Sequence, residues 1–437
     1  MANQLYDYLC AGFRDVCVEG PAGLGKTGAV WAAVATYAEE NKLRILWLTR
    51  TSSQVSKIAK ETGCLPVYGR KTLCIHETVK LVELRRFNAA CRATRLAGRC
   101  IYYPGRPRAV SAKTVGELKE IGKSIMTCPY ECVSVSMVNA KGIVATHRQL
   151  STMAWIFSKW NWAKEKTVAI IDEAQNILKD ALSMVRDSIS LLTLRKAAKE
   201  ASRYGFGSIA EQLAEAAEYY ESRLADDGEI EVDDRLPDID DLIVAAEEVQ
   251  DMKLRDNIVP ASHILSVADF KTLLSGKRPL LVREAGRYRL EALADPKDEL
   301  NKVYEGWAAT VTLSATLDTA LLERTTGRDF VLLRAGWPFL ENALRAVIVK
   351  GLSTKFEKRD ERLYDDCAWI VKLGERLGRT IVFAPSYEVL AKVTSRLSGN
   401  YLVEKPSMSQ EEIEAMISSY GASSKVLMTV FNSRTAE

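Results

Sequence analysis

The sequence predicts an α/β protein built on a parallel sheet that binds phosphate at one edge. The segment Gly20–Thr27 reads G-x-x-x-x-G-K-T, follows the apolar run Val16–Glu19 and precedes an alanine-rich helical stretch. Further short apolar runs alternate with helical stretches, which is typical of parallel α/β sheets. One of these runs, Val168–Asp172, ends in the adjacent carboxylates of Asp172 and Glu173. Together the three features predict a nucleotide site where strands end.

The glycine-rich segment has the residues that a phosphate-binding loop needs. Gly20, Gly23 and Gly25 let the backbone N–H groups point at an anion, at a helix N-terminus whose dipole favours negative charge. Lys26 can reach the β- and γ-phosphates of ATP, and the Thr27 hydroxyl can hold Mg²⁺. The alternative is a chance match in a glycine-rich turn, but the flanking strand and helix favour nucleotide binding.

Seven short runs have the composition of strands. We expect the first five to lie in one sheet and the last two in another. The runs are Val16–Glu19, Ile45–Thr49, Ile143–Thr146, Val168–Asp172, Thr310–Ser314, Ile381–Ala384 and Val426–Val430.

The carboxylates that end the fourth run suit ATP hydrolysis. Asp172 is placed to hold the Mg²⁺ shared with Thr27, because ligands bind at the carboxyl ends of strands in α/β sheets. Glu173 can orient and deprotonate the attacking water. Taken alone, the run could equally end in a helix N-cap at Asp172. At the end of the fifth run, Ser314 and Thr316 either link the nucleotide to a neighbouring domain by hydrogen bonds or simply end a strand.

Length and composition indicate an ordinary globular protein with two or more domains. The chain has 437 residues and a net charge of +3, so its overall charge indicates no class of partner. No window of eighteen apolar residues occurs and the first residues do not form a signal peptide. We therefore expect a cytoplasmic protein, or a nuclear one in a eukaryote, with no membrane contact. Nine cysteines in such a compartment are thiols or metal ligands rather than disulfides.

Two long segments interrupt the alternation, and strand-like runs resume after each, so we expect both to be insertions. Residues 71–138 contain five of the nine cysteines, and residues 177–303 have mostly helical apolar spacing. Within the second segment, Glu221–Glu248 carries twelve acidic residues and two basic ones. This stretch is either a solvated surface or a docking site for a basic protein partner, and its charge disfavours nucleic acid.

The order of these parts resembles the superfamily 2 helicases, and in particular the XPD family related to DinG. The P-loop, the D-E-A-x segment Asp172–Gln175 and the S-A-T segment Ser314–Thr316 match the motor motifs. Gly69–His76, Thr127–Tyr130 and Val382–Tyr387 look like further parts of the XPD pattern. The resemblance covers essentially the whole chain. It implies an ATP-dependent DNA helicase that moves 5′-to-3′ on single-stranded DNA and acts in repair.

The resemblance also implies the domain organisation. Two RecA-like P-loop NTPase motor domains would carry an inserted iron–sulfur domain and an inserted, mostly α-helical arch domain. We expect a monomer that binds single-stranded DNA, the DNA fork and, if the acidic arch stretch is a docking site, a protein. The expected bounds are 1–70, 139–176 and 304–330 for the first motor domain, 71–138 for the iron–sulfur domain, 177–303 for the arch, and 331–437 for an incomplete second motor domain.

Four cysteines in the first insertion are candidate metal ligands. Cys74, Cys91, Cys100 and Cys128 are separated by 16, 8 and 27 residues. Zinc sites usually contain close C-x₂₋₄-C pairs, which these four lack, but the spacing alone leaves zinc, free thiols and an iron–sulfur cluster open. The resemblance to XPD implies a [4Fe–4S] cluster with these four residues as its ligands.

The cysteine segment is also basic, with eight Lys or Arg residues and no acidic residue from Arg85 through Gly116. Cations can follow a phosphate backbone while aromatic rings stack on unpaired bases; the alternative is a solvated basic face. Beside a helicase motor, we expect contact with single-stranded DNA where the strands separate. Gln4 resembles the adenine-reading glutamine of the family, and Thr49–Thr51 its backbone-gripping motif. The expected DNA contacts are Arg50, Thr51, Arg92, Arg95, Arg99 and Tyr102.

Two departures from the family pattern bear on activity. Gln175 stands where the family usually has histidine. Both side chains donate and accept hydrogen bonds, so ATP hydrolysis is compatible with Gln175. The step that this exchange affects is the coupling of hydrolysis to DNA. Asn432–Glu437 resembles the start of the fifth motor motif, and the final motif, whose arginines reach ATP, does not follow. We therefore expect slow hydrolysis and no unwinding. The alternatives are a motor-deficient module that binds single strands or damage, and a P-loop ATPase acting on protein with zinc in the cysteine segment.

Overall fold

The computed structural model describes residues 1–21, 23–149, 162–293, 297–336, 347, 349–408, 410–420, 422 and 424–431. The chain divides into two compact units, Met1–Pro338 and Phe339–Glu437. Each unit has its own hydrophobic core. The segment Asn432–Glu437, expected to begin the fifth motor motif, lies outside the described residues.

The strands of the described residues form three sheets. They are β1 (Asp15–Glu19), β2 (Arg44–Thr49), β3 (Leu65–Pro66), β4 (Gly142–Thr146), β5 (Thr167–Ile171), β6 (Arg186–Ser190), β7 (Gly228–Glu231), β8 (Leu280–Glu284), β9 (Arg287–Leu293), β10 (Ala309–Ser314), β11 (Val331–Arg334), β12 (Thr380–Ala384), β13 (Leu402–Val403) and β14 (Val426–Val430).

The α-helices of the described residues occur throughout both units. They are α1 (Ala2–Cys10), α2 (Lys26–Glu40), α3 (Ser52–Thr62), α4 (Arg70–Leu73), α5 (Leu84–Leu96), α6 (Val115–Ser124), α7 (Pro129–Ser136), α8 (Ile177–Val185), α9 (Leu191–Arg203), α10 (Gly207–Ser222), α11 (Ile239–Arg255), α12 (His263–Leu274), α13 (Lys297–Tyr304), α14 (Thr319–Thr326), α15 (Glu361–Leu377), α16 (Tyr387–Thr394) and α17 (Gln410–Ser419).

Seven parallel strands form the sheet of the first unit, in the order β11-β1-β10-β5-β2-β4-β3. The five runs predicted for one sheet lie in it, and their side chains are mostly buried, as expected for a parallel sheet covered on both faces. At one edge β11 extends the sheet, where Val331 pairs with Val16. The first unit therefore continues past residue 330, which corrects the expected start of the second motor domain at residue 331.

The second insertion is mostly helical, as predicted, but it also contains a sheet. Helices α9 to α12 pack around buried side chains such as Leu213 and Phe270. Four antiparallel strands lie beside them in the order β6-β9-β8-β7, which we did not predict from the sequence. Ala285 and Gly286 join β8 to β9 with φ values of 48° and 70°, as a tight hairpin turn requires. Alanine is unusual at such a position, so the sequence carried little indication of this turn.

The acidic stretch Glu221–Glu248 is partly neutralised within the same insertion. Lys271 Nζ lies 2.6 Å from Asp234 Oδ2, and Arg278 Nη2 lies 3.0 Å from Asp233 Oδ1. These pairs explain how the fold tolerates so many carboxylates in one stretch. A docking role for the stretch remains a proposal.

The second unit has a three-stranded parallel sheet in the order β12-β14-β13. The two runs predicted for a second sheet are neighbours in it, with Thr380 paired to Val426. The buried face of α15, including Tyr364 and Val371, contributes to the core of this unit. No helix of the described ranges is long and apolar enough to cross a membrane.

Candidate functional site

Three neighbouring strands bring the predicted nucleotide residues to one edge of the first sheet. Strand β10 lies between β1 and β5, with Ser314 opposite Glu19 and Thr312 opposite Ile171. Because all three strands are parallel, the segments that follow them emerge at the same edge. These segments are the P-loop after β1, the D-E-A-Q segment after β5 and the S-A-T segment at the end of β10.

The P-loop has the backbone geometry that its glycines predicted. Gly23 and Gly25 both have a φ of 79°, in the left-handed region, and Gly25 is the N-cap of α2. At Gly20 a Cβ atom would lie 2.9 Å from Leu24 Cδ2, so a larger residue would force the Leu24 side chain to shift. Lys26 Nζ donates to the carbonyl oxygens of Gly20 at 2.7 Å and Pro21 at 2.8 Å, which keeps the ammonium group at the loop.

Thr27 and Gln4 lie on the two helices that flank this loop. Thr27 is half-buried in the first turn of α2, where the resemblance places an Mg²⁺ ligand. Gln4 is exposed on α1, and Tyr6 of that helix donates to Glu40 Oε2 of α2 at 2.7 Å. The adenine-reading role of Gln4 stays a prediction.

Asp172 is fixed through its backbone and its side chain directly after β5. Its N–H donates to Leu48 O at 2.8 Å, and its Oδ1 accepts from the Glu173 N–H at 2.9 Å. Burial, and after it the charge of Glu173, raises the pKa of Asp172, although the nearby Trp47 indole works in the opposite direction. A cation bound here would favour the ionised carboxylate. This half-buried oxygen donor, at the same edge as Thr27, therefore fits the expected Mg²⁺.

Glu173, Gln175 and Ser314 form one hydrogen-bonded chain. Gln175 Nε2 donates to Glu173 Oε2, and Ser314 Oγ donates to Gln175 Oε1 at 2.6 Å. Ser314 Oγ also accepts from the Thr316 N–H at 3.0 Å. The Gln175 amide makes both contacts because it has a donor and an acceptor. The structure thus brings the S-A-T and D-E-A-Q segments together, while their coupling role stays a prediction.

His147 is a buried residue of the same site that no sequence motif indicated. His147 follows β4, and its Nε2 lies 2.8 Å from the carbonyl oxygen of Asp172. Its Nδ1 lies 2.8 Å from Asp180 Oδ2. The chain has only three histidines, and this one follows a predicted strand of the first sheet, which was the available signal.

Thr51, which was expected to contact DNA, has a structural role within the protein. It is the N-cap of α3, where its Oγ1 accepts from the Gln54 N–H at 3.3 Å and its N–H donates to Gln54 Oε1 at 3.2 Å. This capping box accounts for Thr51 without DNA. Arg50 is exposed beside it, so the cationic side chain of the pair is at the surface.

The four candidate cysteine ligands lie on different elements of the first insertion. Cys74 follows α4, Cys91 lies within α5, Cys100 lies in the loop after α5 and Cys128 directly precedes α7. Two apolar side chains, Val79 and Phe87, pack with Cys74 and Cys91.

Arg70 lies against two of these cysteines. Its Nη1 lies 2.9 Å from Glu131 Oε1, and its guanidinium stacks on the Tyr130 ring at 4.0 Å from the ring centre. Burial raises the pKa of Cys91 and raises that of Cys128 to about 11, and the Arg70 charge opposes both changes. A cation between two thiols would stabilise their ionised, ligating form.

The donor set suits an iron–sulfur cluster, but the arrangement alone does not identify one. After burial, the charges of Cys91 and Cys100 are among the effects that raise the pKa of Cys74, so three sulfurs lie within electrostatic reach of one another. Yet among the described residues no group of three or more His, Cys, Asp or Glu side chains has the arrangement of a metal site. The four thiols therefore have the chemistry of iron–sulfur ligands. Because their arrangement does not identify a metal site, the cluster is a proposal.

Two of the four arginines expected to contact DNA already have partners in the structure. Arg95 Nη1 lies 3.4 Å from Glu131 Oε1, and its guanidinium lies 4.6 Å from the centre of the Tyr103 ring. Arg99 Nη1 donates to Asn257 Oδ1 of the second insertion at 2.7 Å. Both side chains therefore also hold the segment in place.

Arg92 and Tyr102 differ in their surroundings. Arg92 is exposed on α5, along a cleft whose other wall includes Glu247 and Asp251 of α11. Tyr102 is half-buried, and its carbonyl oxygen accepts from the Cys128 N–H at 2.9 Å. The acidic wall of the cleft is a local feature that the run of basic residues in the sequence did not reveal.

Sequence comparison agrees with the resemblance. A protein-family model described as DEAD_2 matches residues 45–194. The ATP-dependent DNA helicase CHL1 of Kluyveromyces lactis is 23% identical over 184 residues, which are 36% of this chain and 23% of that protein. CHL1 of Meyerozyma guilliermondii is 28% identical over 163 residues, 33% of this chain and 19% of that protein. The match thus spans about a fifth of these relatives' lengths.

Solved structures establish the fold. The structure named XPD_Helicase superimposes with a TM-score of 0.65 at 20% identity, covering 100% of this chain and 80% of that one. S. tokodaii Xpd4 superimposes with a TM-score of 0.58 at 17% identity, covering 98% of this chain and 79% of that one. The chain therefore has the α/β fold of XPD-type proteins, with RecA-like motor architecture. The predicted resemblance is confirmed.

Proposed function

We propose that this chain, whose relationship to XPD-type superfamily 2 helicases the comparisons support, is an ATP-dependent DNA helicase that moves 5′-to-3′ on single-stranded DNA and acts in repair. The observation that carries the proposal is the meeting of the Lys26 loop, the Asp172 and Glu173 carboxylates and the Ser314–Gln175 hydrogen bond at neighbouring strand ends. A monomeric state and a cytoplasmic location, nuclear in a eukaryote, are part of the proposal.

The nucleotide edge has a residue for each requirement of ATP hydrolysis. Lys26 and the backbone N–H groups of its loop bind the β- and γ-phosphates. Thr27 and Asp172 would hold Mg²⁺, which would supply positive charge to the phosphate oxygens. Glu173 orients the attacking water and accepts its proton. Gln175 donates to Glu173 and so keeps that carboxylate aimed at the water.

The hydrogen bond between Ser314 and Gln175 supports a link between hydrolysis and movement. Ser314 ends β10, and Gln175 contacts the proposed general base Glu173. Two hydrogen bonds, both made by Gln175, thus connect the general base Glu173 to the S-A-T segment. Gln175 can therefore occupy the position where the family usually has histidine, because its side-chain amide makes both contacts.

A [4Fe–4S] cluster held by Cys74, Cys91, Cys100 and Cys128 is the second part of the proposal. It is supported by the resemblance, by four thiol donors on four elements and by the cationic Arg70 beside two of them. When bound, the cluster would cross-link these elements through metal–sulfur bonds. The protein's own residues bury Cys91, leave the other three cysteines half-buried, and supply the neighbouring positive charge of Arg70.

Single-stranded DNA and the DNA fork are the proposed substrates of the surface around Arg50, Arg92 and Tyr102. Exposed Arg50 and Arg92 offer cations to the phosphate backbone, and Tyr102 offers a ring for stacking. Arg95 and Arg99 contribute less to this surface, because each is engaged with a protein partner.

The test of the motor is ATP hydrolysis measured with and without single-stranded DNA. We expect the DNA to stimulate phosphate release, Lys26→Ala to weaken ATP binding, and Glu173→Gln to retain binding but lose turnover. Lys141→Ala is a matched control, because its ammonium is 94% exposed and pairs only loosely with Glu39, at 3.6 Å. An equal rate of ATP hydrolysis with and without single-stranded DNA would contradict the helicase proposal.

The direction of movement is tested with duplexes that carry either a 5′ or a 3′ single-stranded tail. For the protein with the final motor motif included, we expect unwinding of the 5′-tailed duplex alone. Unwinding of the 3′-tailed duplex would contradict the polarity that the resemblance implies. Tight binding of single strands without stimulated hydrolysis or unwinding would instead favour the motor-deficient binding module.

A further inference from the structure

His147 occupies a buried position between the nucleotide edge and the start of the second insertion. The residue is 1% exposed and follows β4. One ring nitrogen faces the backbone of Asp172, and the other faces the carboxylate of Asp180, which is 9% exposed in the first turn of α8. None of the motifs recognised in the sequence includes His147 or Asp180.

Both ring nitrogens of His147 face oxygen atoms. A carbonyl oxygen only accepts hydrogen bonds, so Nε2 donates to Asp172 O at 2.8 Å. At Nδ1, a proton lies between the ring and Asp180 Oδ2, also at 2.8 Å. Asp180 therefore fixes the ring orientation that lets Nε2 donate to Asp172.

The peptide that joins Asp172 to Glu173 is the group that this contact holds. Glu173 has a φ of 55°, in the left-handed region that a residue with a side chain adopts only at an energetic cost. The N–H of this peptide donates to Asp172 Oδ1 at 2.9 Å, and its carbonyl oxygen accepts from His147. The orientation of one peptide thus sets the directions of both carboxylates.

We propose that His147, oriented by Asp180, is a positioning residue for the Asp172 carboxylate and the Mg²⁺ it holds with ATP. The inference rests on the proposed nucleotide site. It adds that the metal-binding turn is tied to α8, the helix that begins the second insertion. Loss of the His147 contact leaves the turn free to relax from its unusual backbone conformation, so the carboxylate is no longer aimed at the metal.

The test measures how the binding of a fluorescent ATP analogue depends on Mg²⁺ concentration, which requires no turnover. In His147→Ala we expect the Mg²⁺ concentration for half-maximal binding to rise about 10-fold, as is typical when a residue behind a metal ligand is removed. Asp180→Asn should give a smaller rise in the same direction. Binding of the analogue in excess chelator should stay at the wild-type level, because the P-loop is untouched. His147→Gln should recover part of the loss, since its amide can donate to Asp172 O.

Two matched variants serve as controls. His263→Ala removes another imidazole, and Asp187→Asn another carboxylate that forms an ion pair, with Arg85 at 2.6 Å. Both should retain the wild-type Mg²⁺ dependence. If His147→Ala unfolds, Asp180→Asn decides the question, since it preserves the side-chain shape.

The outcomes separate this inference from the proposed function. Folded His147 and Asp180 variants with wild-type Mg²⁺ dependence would overturn the positioning role even if the protein is a helicase. If the His147 and Asp180 variants need more Mg²⁺ than the wild type, and DNA does not stimulate hydrolysis by the wild type, the positioning role is supported and the helicase proposal is refuted. A wild type that binds no Mg²⁺–nucleotide would overturn both.

Discussion

The nucleotide edge and the cysteine segment both join residues that are distant in the sequence, but the fold positions them differently. At the nucleotide edge, the register of β1, β10 and β5 places the three motifs side by side. In the cysteine segment, one sulfur lies within a helix, two lie at the ends of other helices and one lies in a loop. Side-chain contacts such as those of Arg70 then connect them.

This difference predicts that substitutions in the two regions have different effects, on chemistry in one and on structure in the other. Backbone hydrogen bonds hold the strands, so replacing one catalytic side chain leaves its neighbours in place. Few backbone contacts join the cysteine-bearing elements, such as the 2.9 Å bond from the Cys128 N–H to Tyr102 O. Changes at the nucleotide edge should therefore alter activity alone, whereas changes among the cysteines should also loosen the surrounding segment.

The largest expected effect is the loss of the cluster. We predict that the purified protein contains iron and sulfide and absorbs visible light, and that Cys91→Ser abolishes all three properties. The same variant should make the first insertion more sensitive to limited proteolysis, because its elements lose their cross-link. Cys10→Ser, at an exposed cysteine, is the control and should keep the colour. A colourless wild type with stoichiometric zinc would show that the cluster assignment is wrong.

The next effect concerns the general base. Glu173→Gln should lower ATP turnover by about 10²–10⁴-fold, because the amide cannot accept the proton of the attacking water. ATP affinity and the unfolding temperature should stay at their wild-type values, since Glu173 is half-buried at a strand end. Single-turnover hydrolysis and nucleotide titration measure the two quantities. An equal loss of turnover and affinity would mean that the variant disturbs the site as a whole.

A smaller effect should follow removal of the Ser314 hydroxyl. Ser314→Ala deletes its hydrogen bond to Gln175, and such a bond contributes about 0.5–1.5 kcal/mol. The stimulation of hydrolysis by DNA should fall roughly 2- to 10-fold, which is that energy expressed as a ratio of rates. Hydrolysis without DNA should change less. Ser124→Ala, which removes a hydroxyl bonded to Ile121 O far from this edge in the sequence, is the control. Unchanged stimulation would leave Ser314 as a strand end only.

The smallest effect is expected for a single phosphate contact. Arg92→Gln should reduce the slope of single-strand affinity against salt concentration by about 0.7, the value for one contact with a single strand. Arg99→Gln should change the slope less, because its guanidinium donates to Asn257. DNA-binding titrations at several salt concentrations measure both slopes. Equal slopes for Arg92→Gln and the wild type would identify Arg92 as part of a solvated face or of the acidic cleft beside it.

The amino-acid pattern alone was enough to predict the parallel sheet and to identify the nucleotide motifs. Apolar runs buried on both faces form strands wherever they pair, and a P-loop with a strand before it and a helix after it has one way to fold locally. Five predicted strands accordingly lie in the first sheet and two in the second. The acidic and cysteine-rich insertions could be delimited because the alternation stops where they begin.

Which side chains meet depends on the packing of the folded chain. The sequence did not indicate that β10 lies between β1 and β5, and that order is why Ser314 reaches Gln175. It also gave no reason to pair His147 with Asp180, since a strand end and a distant helix meet only through packing. The hairpin of β8 and β9 escaped notice for a local reason, because Ala285 lacks the usual turn chemistry. Periodicity and motifs report on neighbours along the chain, whereas contacts across a sheet depend on the order in which its strands assemble.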